Sequence, residues 1–303
     1  MLLPRPLRGI VTPLITPLET PDSLDQPSLE TLLEHVIGGG VAAVFVLGTT
    51  GEGPALPVSV RRQMVEVTCR VAANRVPVIV GITDSCLREA LDLAEFSARA
   101  GAAAVVSAGP TYFPVAQAEL ERYIRQLADA APLPLFLYNM PSHTHVRFAV
   151  PTVAAVAGHP NIAGLKDSSG EIMYLHALRH TLAQRPDFTL LVGPEEMMGE
   201  SVLLGVHGGV NGGSNLFPSL YVQLYQAAAT GDLPTLRRLH ARVIDISQRL
   251  YCTGTYGSSY MQGLKCSAAQ LKLCRNVLAP PYQPFDTDQV ETIRRHLGAL
   301  GVL

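Results

Sequence analysis

The residue of this sequence with the clearest chemical potential is Lys166. The chain has three lysines, Lys166, Lys265 and Lys272, against 20 arginines. Because arginine stays protonated in proteins, a retained lysine can mark a position that needs an ionisable primary amine. Lys166 directly follows a short apolar run over residues 162–165. A neutral, desolvated amine is the nucleophile that condenses with a ketone, so Schiff-base chemistry is predicted at this position.

A glycine-rich segment follows an earlier apolar run and reads Gly-Thr-Thr-Gly-Glu-Gly over residues 48–53. Glycines allow close backbone approach, and two hydroxyls with free N–H groups can hold an anion. The segment contains no Lys or Arg and lacks the GK[ST] ending of a triphosphate loop. A carboxylate is therefore the favoured ligand, although a plain strand-to-helix turn would look similar.

Two tyrosines, a second glycine-rich segment and two histidines are weaker candidates. Tyr112 and Tyr138 each follow or end an apolar run, and a tyrosine hydroxyl can relay protons, although a single such tyrosine is more often a packed aromatic. Residues 207–215 are glycine-rich and favour close packing of backbone on substrate over a phosphate site. His143 and His145 have no third ligand nearby in sequence, so we expect no metal.

The elements that must position these residues are short apolar runs alternating with segments of helical spacing. The runs cover residues 10–14, 41–47, 76–80, 102–106, 133–138, 162–165, 188–192 and 206–210. This alternation predicts a parallel sheet buried on both faces. Eight units fit a closed (β/α)8 barrel, whereas a doubly wound sheet usually opens with a glycine-rich dinucleotide turn that residues 10–17 lack. We predict the barrel over residues 1–230 and a helical extension, packed on the barrel, over residues 231–303.

The composition supports an ordinary globular protein. Hydrophobic residues make up 48% of the 303-residue chain, charged residues 16%, and the net charge is −2. These values argue against disorder, nucleic-acid binding and anionic membrane surfaces. We expect neither a signal peptide nor a membrane span. The five cysteines form no CxxC pair, which predicts buried thiols and a cytoplasmic location.

The residues around Lys166 predict its orientation. Side chains alternate along a strand, so Lys166 and Asp167 should point to opposite faces. If Lys166 points into the barrel, it meets apolar layers, and its amine should favour the neutral form. Ser168 and Glu171 have the spacing of a capping box that would begin the next helix. Glu195 and Glu196 follow Pro194 at a helix start, where we expect a structural role.

Four motifs occur in order at the predicted strand ends. They are Gly-Thr-Thr-Gly-Glu at 48–52, Tyr138-Asn139-x-Pro141, Gly164-x-Lys166-Asp167 and the glycine-rich residues 207–215. Together they resemble the dihydrodipicolinate synthase / N-acetylneuraminate lyase family of pyruvate-dependent class I aldolases. The resemblance covers nearly the whole chain and implies a pyruvate or 2-oxo acid substrate, an aldehyde partner, no metal or organic cofactor, and a homotetramer built as a dimer of dimers.

The resemblance also implies a role for each matching residue. Lys166 would form the imine, Tyr138 would move protons, and Thr49 and Tyr112 would complete the relay. Tyr112 would be contributed across a subunit contact to the neighbouring site. The substrate-binding positions would be Thr50, Gly51, Val210 and His143, with Thr49 and Thr50 holding the carboxylate and the Val210 carbonyl facing the imine.

Two residues differ from the pattern of dihydrodipicolinate synthases at positions that bear on the second substrate. His143 stands where dihydrodipicolinate synthases typically carry an arginine, and Thr111 where they often carry a second tyrosine. A neutral imidazole lacks the bidentate, permanent charge of guanidinium. We therefore expect a lyase acting on a 2-keto-3-deoxy sugar acid or a similar hydroxylated 2-oxo acid. The alternatives are dihydrodipicolinate synthase, with Arg147 reaching the site, a dehydratase using the same imine, or a non-catalytic barrel.

Overall fold

A computed structural model describes residues 3–302. Its centre is a closed barrel in which each of eight parallel strands pairs with the next, and the last pairs with the first. The strands are β1 (Gly9–Pro13), β2 (Ala43–Val46), β3 (Val78–Gly81), β4 (Ala104–Ser107), β5 (Leu135–Asn139), β6 (Ile162–Asp167), β7 (Thr189–Val192) and β8 (Gly208–Val210). Each predicted apolar run overlaps one strand, and the predicted (β/α)8 barrel is confirmed.

A helix follows each strand and covers the outside of the barrel. These helices are α1 (Gln26–Gly38), α2 (Val58–Ala72), α3 (Leu87–Ala100), α4 (Gln117–Ala130), α5 (Val150–Ala157), α6 (Ile172–Thr181), α7 (Met198–Leu203) and α8 (Pro218–Thr230). A small hairpin of Leu18–Thr20 and Ser23–Leu24 separates β1 from α1. Short helical turns lie after four strands, at Gly53–Ala55, Pro141–Thr144, Glu195–Met197 and Gly212–Asn215. Irregular backbone therefore concentrates at the carboxyl ends of the strands, where sites form in such barrels.

The C-terminal extension contains three helices, α9 (Leu233–Ile246), α10 (Ser259–Gln270) and α11 (Thr287–Ala299). A π-helical segment, Ser247–Tyr251, continues α9. Asp232 caps α9 by accepting the N–H of Thr235, and Asp286 caps α11 by accepting the N–H of Gln289. We propose residues 230 and 231 as the boundary between barrel and extension, because α8 ends at Thr230. No helix within residues 3–302 is long and apolar enough to cross a membrane.

Two apolar cores result from strands buried on both faces. The inner core fills the barrel and contains Phe45, Phe136 and Tyr138, while Leu135 and Leu137 belong to the outer core between strands and helices. This alternation along β5 follows the two-residue period of a strand. The inner core supplies an apolar floor beneath the carboxyl ends of the strands.

Two local predictions are wrong. Helix α6 begins at Ile172, its cap residue is Glu171, and the cap makes no side-chain hydrogen bond, so Ser168 begins no capping box. Ser169 Oγ instead accepts the N–H of Glu171 at 3.2 Å. The five thiols are unpaired, but Cys86 and Cys252 are exposed rather than buried. Both lie in connections outside the regular elements, where apolar periodicity gives no guide to burial.

Candidate active site

The register between β5 and β6 brings two predicted site residues together. Tyr138 stands directly opposite Lys166, and Asn139 stands opposite Asp167. Since neighbouring residues of a strand point to opposite faces, one pair faces the barrel interior and the other faces outward. The strand pairing therefore sets Lys166 and Tyr138 side by side at the carboxyl end of the barrel.

Lys166 lies among aromatic rings. Its Nζ is 4.1 Å from the centroid of the Tyr138 ring and 5.3 Å from that of Phe45. The two rings meet edge to face, and Lys166 is only 7% exposed to solvent. Ring faces attract a lysine ammonium, while the apolar surroundings penalise its charge. The amine is thus held in one place and largely shielded from water.

The outward-facing pair, Asn139 and Asp167, fixes the orientation of Lys166 through hydrogen bonds. Asn139 Nδ2 donates to Asp167 Oδ1 at 2.8 Å, and Asn139 Oδ1 accepts the N–H of Phe148 at 3.1 Å. Asp167 also accepts the N–H and hydroxyl of Ser169 at 3.1 and 3.0 Å. Burial raises the pKa of Asp167 despite these hydrogen bonds. With Asp167 fixed outward, Lys166 must face the interior.

Tyr138 is hydrogen-bonded to Thr49. The hydroxyls of Tyr138 and Thr49 lie 3.2 Å apart. Burial acts to raise the pKa of Tyr138, but a protonated Lys166 and the hydroxyls of Thr49 and Ser168 outweigh burial and hold the pKa below its usual value. Tyr138 is therefore a stronger acid than an ordinary tyrosine, which suits a group that gives and takes protons.

The segment of residues 48–53, here called the threonine loop, is closely packed. A Cβ at Gly53 would come within 2.1 Å of the Leu47 carbonyl oxygen, and one at Gly48 within 2.6 Å of the Phe45 ring. Thr16 Oγ1 donates to the carbonyl oxygen of Gly51 at 2.7 Å. Glycine is thus required at these two positions for the loop to fold onto the end of β2.

A cavity of about 570 Å³ opens beside these groups. It is lined by the threonine loop, by the ends of β2, β3 and β5, by the turn after β5 and, from the extension, by Pro280, Pro281 and Tyr282. This volume is in the range of small-molecule sites. Among the predicted site residues, Thr49, Tyr138 and His143 line the cavity, whereas Lys166, Thr50, Gly51 and Val210 are buried outside its lining.

Tyr112 is the predicted site residue that is exposed and does not line the cavity. It is 89% exposed, adopts a positive φ of 77°, and packs edge to face on Phe113, which is 64% exposed. Its neighbour Thr111 does line the cavity. The described chain therefore brings Lys166, Tyr138 and Thr49 together without Tyr112.

The family model for the dihydrodipicolinate synthetase family matches residues 6–300. The chain belongs to this family. Members of the family are lyases, so the protein is an aldolase-type enzyme. All eight strands, the three helices of the extension and the cavity lining fall within the matched region.

The relatives agree in fold across nearly their whole length. The 4-hydroxy-tetrahydrodipicolinate synthase of Aromatoleum aromaticum is 30% identical, with 98% of this chain and 99% of the relative covered. The dihydrodipicolinate synthase structure from Bacteroides thetaiotaomicron is 48% identical with a TM-score of 0.95, over 97% and 99% of the two chains. The Escherichia coli K12 prophage protein YagE, solved with pyruvate, is 28% identical with a TM-score of 0.92, over 98% and 99%.

His143 and Arg147 both lie in the connection that follows β5. His143 stands in the helical turn Pro141–Thr144, and its Nδ1 lies 3.0 Å from Ser142 Oγ. Burial of the ring and the charge of Lys166 lower the pKa of His143, so the imidazole is neutral near pH 7. Arg147 binds both carboxylate oxygens of Glu171, at 2.6 and 2.8 Å, and does not line the cavity. Arg147 therefore does not reach the site as the synthase alternative required.

Three residues of the region were missed or misjudged from sequence. Arg61 lines the cavity, and its Nε and Nη2 donate to the carbonyls of Leu56 and Pro54 at 2.9 and 3.2 Å. Lys265 forms a buried ion pair with Glu52, which the scarcity of lysine could have flagged. Glu195 was expected only to suit a helix start, but its buried carboxyl accepts several hydrogen bonds.

Glu195 is a buried carboxyl at the turn after β7. It accepts the N–H of Gly213 at 2.9 Å and the hydroxyls of Tyr221 and Tyr251, the latter at 3.1 Å. Burial raises its pKa to about 7, against the opposing effect of these hydrogen bonds. The two tyrosines lie 26 and 56 residues away in sequence, so no local pattern could have identified them.

Proposed function

We propose that the protein is a pyruvate-dependent lyase that forms a Schiff base at Lys166. Its substrate would be a 2-keto-3-deoxy sugar acid or a similar hydroxylated 2-oxo acid, made or cleaved at the bond between C3 and C4. One observation carries the proposal: Lys166 Nζ lies 4.1 Å from the centre of the Tyr138 ring, and the Tyr138 hydroxyl lies 3.2 Å from Thr49 Oγ1. The amine thus lies directly behind Tyr138, and Tyr138 and Thr49 line a substrate-sized cavity.

In the cleavage direction, Tyr138 takes a proton from Lys166, whose amine then adds to the C2 ketone. Tyr138 returns this proton to the departing hydroxyl, and loss of water gives the protonated imine. Protonated, this imine withdraws the electron pair released when the C3–C4 bond breaks, which yields an enamine. Tyr138 takes the proton of the C4 hydroxyl as the aldehyde forms, passing it through Thr49. Protonation of the enamine at C3 and hydrolysis of the imine then release pyruvate and restore Lys166.

The carboxylate of the 2-oxo acid would bind at the threonine loop. Thr49, which lies next to Tyr138, would supply hydroxyl and N–H groups together with Thr50 and Gly51, and the Val210 carbonyl at the end of β8 would face the imine. The pyruvate complexes of YagE and of the Acinetobacter baumannii dihydrodipicolinate synthase support pyruvate as the 2-oxo acid. The proposed chemistry requires no metal or organic cofactor.

His143 bears on the recognition of the part of the substrate that leaves as the aldehyde. A neutral imidazole can exchange hydrogen bonds with hydroxyl groups, whereas a carboxylate is held best by a permanent bidentate charge. This favours a hydroxylated substrate over aspartate semialdehyde.

Dihydrodipicolinate synthase is the second candidate. The relative from Bacteroides thetaiotaomicron carries this name, and the one from Aromatoleum aromaticum is named 4-hydroxy-tetrahydrodipicolinate synthase. In addition, Arg61 lines the cavity. Two donors of the Arg61 guanidinium already bond to backbone carbonyls, which leaves fewer for a substrate carboxylate. A dehydratase using the same imine remains a further alternative.

We also propose that the protein acts as a cytoplasmic homotetramer in which Tyr112 completes the relay of a neighbouring subunit. The exposure of the adjacent Tyr112 and Phe113 rings supports a subunit contact at this loop. Mixing inactive Tyr112→Phe and Lys166→Ala subunits should restore part of the activity. Mixed tetramers without recovered activity would place Tyr112 outside the relay.

The substrate is tested with a panel of hydroxylated 2-oxo acids, and with pyruvate plus a panel of aldehydes that includes aspartate semialdehyde. We expect the native protein to cleave a hydroxylated 2-oxo acid, and His143→Arg to shift its preference toward aspartate semialdehyde. His145→Arg is the matched control, since it adds the same charge two residues away, outside the cavity lining. Efficient use of aspartate semialdehyde by the native protein would favour the second candidate.

A further inference from the structure

The extension holds the threonine loop at two points. The hydroxyl of Tyr260, on α10, lies 3.1 Å from Thr50 Oγ1. One turn further along α10, Lys265 Nζ donates to Glu52 Oε1 and to the Thr16 carbonyl, each at 2.6 Å. The N–H of Ala279, beyond α10, donates to the other Glu52 oxygen at 2.7 Å.

The ion pair within this contact is completely buried, since neither the Lys265 nor the Glu52 side chain is exposed. Removing two charges from water costs free energy that their attraction offsets only with good geometry and further hydrogen bonds. Both conditions are met here by the Thr16 carbonyl and the Ala279 N–H. Glu52 also adopts a left-handed φ of 57°, which its partners must maintain.

We propose that Tyr260 and Lys265 are positioning residues that hold Thr49 and Thr50 in the orientation that binds the substrate carboxylate. The inference rests on the carboxylate-binding role assigned to the threonine loop under the proposed function. Tyr260 and Lys265 touch no substrate themselves and act through Thr50 and Glu52.

The hydrogen bond between Tyr260 and Thr50 suggests how this positioning works. Burial raises the pKa of Tyr260, so its hydroxyl keeps a proton that it can donate. When Tyr260 donates to Thr50 Oγ1, the proton of Thr50 is free to point at a carboxylate. Without the Tyr260 hydroxyl, Thr50 loses this hydrogen bond, and its side-chain rotamer is no longer fixed by it.

The same extension also forms one wall of the cavity. Pro280, Pro281 and Tyr282 directly follow Ala279 and line the cavity opening. The backbone contact from Ala279 to Glu52 therefore ties this wall to the threonine loop. A shift of the extension would move both the carboxylate holder and the cavity wall.

The test uses the full-length protein and borohydride trapping with increasing pyruvate. For Tyr260→Phe we expect the half-saturating pyruvate concentration to rise roughly tenfold, in keeping with loss of the hydrogen bond that the misoriented Thr50 would otherwise make to the substrate carboxylate. The adduct at saturating pyruvate should remain complete. Tyr251→Phe is the matched control: it removes a buried tyrosine hydroxyl from the same extension, one that bonds to Glu195 rather than to the loop. Its half-saturating concentration should stay at the native value.

A double variant, Glu52→Gln with Lys265→Met, tests the second contact without leaving a lone buried charge. We again expect a higher half-saturating concentration with a complete adduct at saturation. If the native protein is trapped but both Tyr260→Phe and the double variant trap at native pyruvate concentrations, the positioning role is overturned. If the native protein forms no adduct at any concentration, the proposed function itself fails, and the positioning role fails with it.

Discussion

Tyr138 and Lys166 are direct partners across β5 and β6, with the Lys166 amine 4.1 Å from the centre of the Tyr138 ring. Their outward neighbours, Asn139 and Asp167, are joined by a 2.8 Å hydrogen bond on the other face of the same strands. The backbone register thus fixes the proposed nucleophile and its proposed proton carrier together. A group that forms an imine and a group that moves protons need this proximity to work on one substrate.

Tyr138→Phe should slow turnover strongly without unfolding the protein. The ring stays to pack against Lys166 and Phe45, while the hydroxyl that faces Thr49 is lost. General acid–base groups contribute about 10²- to 10⁴-fold, so kcat should fall within that range. Steady-state kinetics give kcat, and thermal unfolding checks the fold. A kcat within a few-fold of native would exclude Tyr138 as the proton carrier.

The ionisation of Tyr138 should depend on Lys166. In the native protein we expect the pKa of Tyr138 below the ordinary tyrosine value of about 10, because the charge of Lys166 and the hydroxyls around it favour the phenolate. In Lys166→Met this charge is gone while burial remains, so the pKa should move upward. An ultraviolet tyrosinate titration, with Tyr138→Phe subtracted, measures both values. Identical midpoints in the two proteins would contradict the predicted coupling.

Asp167→Ala should destabilise the barrel. The change leaves Asn139 Nδ2 and the N–H of Ser169 without their acceptor, and unsatisfied buried groups cost about 1–3 kcal/mol each. Denaturant unfolding should show a loss of at least that size. Asp187→Ala is the control, because Asp187 is half exposed, pairs with Arg185 at the surface, and should cost less than about 1 kcal/mol. Equal losses in the two variants would mean that the buried pair does not support the fold.

Lys265→Met should be far more destabilising than a surface change. Removing one partner of a buried ion pair leaves the Glu52 charge unpaired and costs about 3–5 kcal/mol in free energy of unfolding. The double change with Glu52→Gln should recover much of this loss. Arg88→Met, which breaks an exposed ion pair with Asp92, should change stability little. A double variant no more stable than Lys265→Met would show that the free charge is not the cause.

The barrel and the core of the site follow from local sequence patterns. Each strand is a short apolar run with turn residues after it, and chemistry in such a barrel is confined to the carboxyl ends of the strands. Reading those ends identified Lys166, Tyr138 and Thr49, which the structure brings together. His143 was also visible in the sequence, whereas the pairing of Arg147 with Glu171, which keeps Arg147 out of the cavity lining, was not.

Contacts between distant segments could not be predicted in the same way. The pair of Lys265 with Glu52 joins residues 213 positions apart, and Glu195 meets tyrosines on α8 and the extension. Such partners depend on how the extension packs on the barrel, which no local periodicity encodes. The Ser168 capping box failed for a related reason: Glu171, its expected second member, binds Arg147 from another connection instead.

Reductive trapping at Lys166 tests the central proposal most directly. The full-length protein is incubated with pyruvate and borohydride, and digestion with mass spectrometry locates the modified residue. We predict one stable adduct on Lys166, formed only when pyruvate is present, and no adduct in Lys166→Arg under the same conditions. Unmodified native protein, or an adduct on Lys265 or Lys272 instead, would contradict Schiff-base chemistry at Lys166.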